Sequence, residues 1–550
     1  MWDSMSDRCG AVLVIGWGQL VFDVKQLLIA AFGEDFVRYV LNIAESESLD
    51  AIEERAPHSV LNTLSSLALQ SVHTGFIDVN IISAGQLAAY MPDAGTSLVQ
   101  VLRKKCGGSA TEKVSETGDP VLCSLFEIAR DIWPVYLMSP PRIAKGAGFF
   151  MANPGGVVQH PKKSEAARRF MVDPSLSKLF PPRGDGEQKA PQLFMESAEW
   201  VVNVGSSGTR QIVGVLSGLI FDARLRVALK GQTLTYKRLT ESLVHSLATL
   251  RSLADGKVVD VPAVIGLSGI NVADDHSIRF TDGVLRGARP EERSLLLNGS
   301  GSPGAVYETT YPVRILSVDR TEPRDPDWGK SFRKYRARIE ESARSFEYSL
   351  DKVRLALLLC SDEGALLAPK EESRLIVDPV NMGGSNYWFT SEHTPANSEL
   401  PADKHLEVIA MYDVIRKKHP ESLNIAMKRL LSAVSSRWDS NDALIDALIA
   451  WENMFGTRTE TTFRVTASLA KILEGETERR LELQRELNKL YSVRSSMVHG
   501  AKEPDPDTAA RNRERVIRVA VDGLRALYHE RPELLALPPE ERSKKVLLEG

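Results

Sequence analysis

The stretch "LYSVRSSMVHG", residues 490–500, sets an arginine among the apolar positions of a helix. Placed on a wheel at about 100° per residue, Leu483, Leu487, Leu490 and Met497 share one narrow sector, with Tyr491 and Val498 at its edge. Arg494 falls at the centre of that sector. His499 lies about 140° round the wheel, below Asn488, Ser492 and Ser495, so the two do not stack as an i, i+4 pair would. A charge at a core-facing position is costly unless it is paired or serves a purpose. Glu452 and Glu460, on neighbouring helical segments, are the carboxylates placed to pair with it. The alternative is a site completed by another helix or a second subunit. Gly500 reads as the residue that ends the helix in a left-handed conformation.

Working outward, residues 403–530 are poor in Gly and Pro and carry helical periodicity throughout. The spacing predicts helices near 403–418, 420–437, 441–455, 460–474, 477–499 and 507–529, joined by short connections as in a helical bundle. Asp505, Pro506 and Asp507 form a well-marked start for the last of these. Its "RNRERVIR" segment puts Arg511, Arg515, Arg518 and Arg525 on one face, opposite Val516, Ile517, Ala520, Leu524 and Leu527. That face is either a strip for RNA phosphates or a solvated surface. Residues 531–550 read as a C-terminal tail.

Residues 1–200 mix helical patterns ("DFVRYVLNIAE", "SVLNTLSSLALQSV") with turn-rich stretches ("SPPRIAKGAGFF", "NPGG", "FPPRGDGEQKAP") and are mainly helical. Residues 201–400 are mixed α/β. A helix near 237–254 precedes strand candidates in "VPAVIGLSGINV" and "VYETTYPVRILSV", a long charged helix spans about 329–359, and "ESRLIVDPVNMGGSNYWF" returns to strand and turn. The fold class is therefore α+β multidomain, with an all-α C-terminal bundle behind mixed N-terminal and middle regions.

The bulk properties exclude several function classes. The 550 residues are too many for one core. A net charge of −4 gives no global basic footprint for coating nucleic acid, though it leaves a local basic cleft open. The four cysteines (Cys9, Cys106, Cys123, Cys360) are scattered, so neither a disulfide framework nor a structural zinc site is expected, in keeping with a reducing cytoplasm. The apolar run 11–22 is short and interrupted by Gly16 and Gly18, and reads as a buried strand or helix. No stretch reaches the length of a membrane span, so no membrane partner is expected. "NGSGSPG" (298–304) lacks the Lys-Ser/Thr of a P-loop. His405 and His419 stand at no metal-ligand spacing, the RGD at 183–185 carries little information, and Tyr387, Trp388 and Phe389 read as core or turn aromatics. No metal and no cofactor is expected.

"YSVRSSMVHG" resembles the R-x4–6-H signature of HEPN domains, specifically the Apea-like branch, where a Tyr-x-x-Arg-Ser-x-x-Val-His-Gly pattern recurs. "IAMKRLLSAV", "DALIDALIAWENMFG" and "TETTFRVTASLAKIL" resemble the preceding helices of that branch in order and spacing, so the resemblance covers roughly residues 405–530. It implies a bundle that dimerises through its motif helices and joins two Arg/His pairs in one cleft. Many such domains are metal-independent endoribonucleases, and several act as toxins or in antiviral defence. Carried over, Arg494 holds the scissile phosphate and His499 is the general acid or base while the RNA's own 2′-hydroxyl attacks phosphorus. Ser495 and Tyr491 are supporting residues, and Arg511, Arg515 and Arg518 are candidate phosphate contacts. Cellular RNA, tRNA included, is the expected substrate, a homodimer the expected assembly, and the first 400 residues the part that responds to an unknown trigger. A role in phage defence or abortive infection rests on the resemblance alone. The rival expectation is a non-catalytic HEPN module that serves for dimerisation or RNA binding, with Arg494 merely a member of an ion pair.

Overall fold

In the computed structural model, the described residues are 23–50, 52–72, 79–109, 113, 116–138, 155–182, 190–273, 276–296, 303–320, 329–362, 366–367, 369–381, 385–389, 395–457, 459–498 and 504–549. His499 and Gly500, the apolar run 11–22, the stretch 139–150 expected to be turn-rich, the RGD at 183–185 and residues 298–302 of the Gly-rich stretch lie outside them.

The chain begins with α1 (Val24–Phe32), α2 (Glu34–Leu41), α3 (His58–Val72), α4 (Leu98–Lys105), α5 (Pro120–Ile132) and α6 (Lys163–Val172). Then come β1 (Ser197–Val202), β2 (Ser207–Gln211), α7 (Ile212–Leu229) and α8 (Tyr236–Ala254). The middle holds β3 (Val259–Ser268), β4 (Ser277–Phe280), β5 (Gly283–Arg286), β6 (Ala305–Val313), β7 (Ile315–Asp319), α9 (Gly329–Leu359), β8 (Lys370–Ile376) and β9 (Ser385–Trp388). The last part is α10 (His405–Lys418), α11 (Asn424–Ser435), α12 (Ser440–Phe455), α13 (Thr461–Leu473), α14 (Thr477–Val498), α15 (Pro506–His529) and α16 (Pro539–Glu549). The chain is α+β, with a helical C-terminal region, as its periodicity predicts.

The main sheet has six strands in the order β9-β8-β3-β6-β5-β4, and every pairing in it is antiparallel. Its central strand, β3, is buried at every position from Ala263 to Ser268, which is why its sequence runs apolar instead of alternating. Pro262 sits one residue outside the stretch paired to β8, where its missing N–H breaks no ladder bond on that side. A second, three-stranded sheet has the order β7-β1-β2.

Strand β1 runs across residue 200, and both of its ladder partners, β2 and β7, follow it in the chain. Helix α7 packs against α5 and α6, and α8 packs against α5 and α7. Helix α7 is buried on nearly all faces, and its Asp222 is held by Arg226 and Ser246, so periodicity gives it no outward side to mark it.

Helix α9 joins the parts. Its last turn and a half is buried through Leu355, Ala356, Leu357, Leu358 and Leu359, and the helix touches β1 as well as α10, α11 and α15. Where it ends, the Arg525 guanidinium donates to the carbonyls of Leu359, at 2.6 Å, and Ser361. Further contacts seat α10 against the sheet: the Tyr412 hydroxyl donates to Asp282 at 2.6 Å, and its ring packs on Phe280.

Within the bundle α12 is central. Ala443, Leu444, Ala447, Leu448, Trp451, Met454 and Phe455 are all fully buried, and the Trp451 indole N–H donates to the Val516 carbonyl on α15 at 3.1 Å. In the stretch expected as a C-terminal tail, α16 packs on α12 and α13, and its Arg542 is completely buried.

Candidate functional site

Helix α14 buries the expected stripe. Leu483, Leu487, Leu490 and Tyr491 lie in the core, and Met497 packs at its margin. On the opposite face Ser492 and Ser495 are exposed, while Asn488 accepts a hydrogen bond from Thr466 of α13 at 2.9 Å. The apolar stripe therefore fixes the rotation of α14, and that rotation alone turns Arg494 toward α12.

The residue waiting there is Glu452, one of the two carboxylates the sequence offered. Arg494 Nη1 donates to Glu452 Oε1 at 2.5 Å, and the Tyr491 hydroxyl donates to the same oxygen. Glu460, the other candidate, pairs with Arg464 instead. Burial and the bond to Glu452 push the Tyr491 phenol up to about 12, so it remains a protonated donor at neutral pH. The Arg494 guanidinium also stands 5.9 Å from the Tyr491 ring centre. Its Nε is buried and has no hydrogen-bond partner among the described residues.

The pair is not sealed in the core. The side chains of Arg494 and Glu452 are 28% and 24% exposed and open into a shallow cleft of about 700 Å³. Thr457 and Thr461 line it from the α12–α13 connection, and Pro538, Pro539 and Glu540 line it from the start of α16. Gly456 closes α12 beside Glu452. A Cβ at Gly456 would stand 2.4 Å from the Glu452 carbonyl oxygen, so only glycine fits this tight exit.

Residues 538–540, absent from the sequence reading of the site, are held in place by Arg542. Its guanidinium donates to the carbonyls of Met454 (2.7 Å), Leu537 (2.8 Å) and Leu534 (3.1 Å) and to the Ser422 hydroxyl (3.1 Å). No carboxylate is among these partners, and burial lowers its pKa to about 10. The charge is instead balanced by the carbonyl end of α12, where a helix dipole favours a cation. A signal for α16 was present in "LPPEERSKKVLLE": Pro539 at the first helical position, then Glu540 and Glu541 in the first turn.

Of the expected phosphate contacts on α15, Arg515 is engaged by Glu486 of α14 at 2.7 and 3.0 Å, and Arg518 by Glu514 at 2.8 Å. Arg511 donates to Thr508 at 3.1 Å. Of these, the Arg515–Glu486 pair ties α15 to α14, and the other two bonds stay within α15. The His419 imidazole, at the end of α10, is a structural group. It accepts from the Tyr528 hydroxyl at Nδ1 and donates from Nε2 to Asn424 at 3.0 Å.

Among the described residues no group of three or more His, Cys, Asp or Glu side chains could hold a metal ion, and no helix is long and apolar enough to cross a membrane. In comparisons with known proteins, no family model, no curated protein and no solved structure matches the chain.

Proposed function

We propose that the C-terminal bundle is a metal-independent endoribonuclease of the HEPN type, and that the parts preceding it restrain it or select its RNA. The observation that carries this reading is Arg494. It stands in an open cleft, tethered through one guanidinium nitrogen, five residues before a histidine in a sequence that resembles the family signature.

In this reading the phosphodiester enters the cleft and takes charge-assisted hydrogen bonds from Arg494. The RNA 2′-hydroxyl attacks phosphorus, the P–O5′ bond breaks, and the products are a 2′,3′-cyclic phosphate and a 5′-hydroxyl. His499 moves a proton, either off the 2′-hydroxyl or onto the departing 5′-oxygen. An imidazole suits the task because its ordinary pKa leaves both protonation states accessible near neutrality. A second copy docked along α14 would bring a second Arg494/His499 pair for the complementary proton transfer.

The Arg494–Glu452 bond favours one rival: a non-catalytic bundle in which Arg494 only joins α14 to α12. Expression of wild type and His499→Ala in cells, with mapping of RNA 5′ ends, separates the two. The nuclease reading expects new 5′-hydroxyl ends with wild type, none with His499→Ala at equal protein level, and cleavage by purified protein that survives EDTA. Intact RNA in both strains, and intact tRNA with the purified wild-type chain, would rule it out.

A further inference from the structure

Arg515 and Arg518 of α15 are ion-paired, and a run of exposed cations lies elsewhere, on the first half of α9. The segment "KSFRKYRAR" (330–338) holds five cations and no acid. From Lys330 to Ser345, six basic side chains stand against only Glu340 and Glu341, a local +4 in a chain whose total is −4. Arg333, Lys334, Arg336, Arg338 and Arg344 are exposed, and among the described side chains of the first four turns Ile339 alone is buried. Lys330, Lys334 and Arg338 follow one another at four-residue spacing, so they line one face at intervals of about 6 Å. Arg336 pairs with Glu340 one turn on, at 2.6 Å.

We propose that this face of α9 binds the phosphate backbone of RNA, as a docking surface separate from the cleft. The choice of RNA rests on the nuclease reading. The choice of a nucleic acid over an anionic membrane rests on the helix itself. An interfacial helix needs an exposed apolar side to insert. None of the large exposed apolar side chains lies on α9, whose Ile339, Phe346 and Leu350 are buried inward. Tyr335, half-buried with Lys334 over its ring at 5.4 Å, adds an aromatic among the cations, the combination that suits stacked bases. Each phosphate contact of this kind releases counterions, so its signature is a salt dependence.

The test uses the full chain carrying His499→Ala, so that RNA stays intact, and a fluorescein-labelled RNA hairpin followed by anisotropy between about 50 and 200 mM salt. Adding Lys334→Gln and Arg338→Gln is expected to weaken binding about tenfold at low salt and to flatten the log–log salt slope by about two. The charge-matched pair Lys417→Gln and Lys418→Gln, exposed on α10, should leave the slope as it was. An unchanged slope in the α9 variant, an equal loss in the α10 variant, or no RNA binding by the parent would each overturn the proposal. So would binding to phosphatidylserine vesicles in place of RNA. Binding that depends on α9, from a wild-type chain that cleaves nothing, would uphold this surface while refuting the nuclease.

Discussion

The buried guanidinium of Arg542 donates to the Met454 carbonyl at 2.7 Å, two residues beyond Glu452 on the same helix. One contact therefore fixes both the end of α12 and the wall of the cleft contributed by residues 538–540. Replacing Arg542 with Leu leaves three carbonyls and a hydroxyl buried without their donor. The expected loss is about 3 kcal/mol or more in denaturant unfolding, together with loss of any activity centred on Arg494. Arg542→Lys, which restores the charge with a different donor geometry, should recover only part of the stability.

Arg494 and Glu452 predict a measurable coupling. Both side chains are about three-quarters buried, so a double-mutant cycle with Arg494→Ala and Glu452→Gln should give about 1 kcal/mol, and less at high salt. Glu452→Gln also releases the guanidinium from its carboxylate. In the nuclease reading that variant binds RNA more tightly than wild type, by about threefold. Weaker binding in Glu452→Gln would argue that Glu452 positions Arg494 instead of competing for it.

Gly456 sets a steric limit. Gly456→Ala would place a methyl 2.4 Å from the Glu452 carbonyl, and the last turn of α12 must move to admit it. A loss of about 1–3 kcal/mol is expected by thermal or chemical unfolding. Gly475→Ala, where an added Cβ meets nothing, serves as the control and should cost far less.

His419 predicts a stability that depends on pH. Burial lowers its pKa from 6.5 to about 4, so the folded chain keeps the ring neutral over a range in which the unfolded chain protonates it. As pH falls from 6.5 toward 4 the unfolded state binds a proton that the folded state refuses. Stability contributed by the neutral ring is complete above pH 6.5 and is lost at up to about 1.4 kcal/mol per pH unit below it. Unfolding curves between pH 7.5 and 4.5 for wild type and His419→Gln should show the stability difference shrinking, and then reversing, as the pH falls. A constant difference would mean that the ring accepts its proton in the fold.

The helices with one clear apolar side were legible in the sequence because their periodicity is a one-dimensional record of which side faces the core. The six helices expected from 403 onward appear at nearly the expected bounds, and the long charged helix appears as Gly329–Leu359. The same stripe on α14 marked Arg494 as a charge in need of a partner, and it named Glu452 as one of two. Helix α7 carried no such record, since burial on nearly all faces erases periodicity.

Other features were decided only by the tertiary structure. Which carboxylate meets Arg494 depends on the rotation of α12 against α14, and the sequence pattern of either helix alone does not contain that angle. Arg515 pairs with Glu486 across α15 and α14, and Arg518 with Glu514 within α15, and the sequence left open whether that face was a phosphate strip or a solvated surface. The most distant case is Arg542. It is 88 positions from Met454 along the chain, and only packing makes the end of one helix the ligand of the other. Local periodicity records what each segment buries. The partners of a buried charge are set by three-dimensional proximity, which no local pattern encodes.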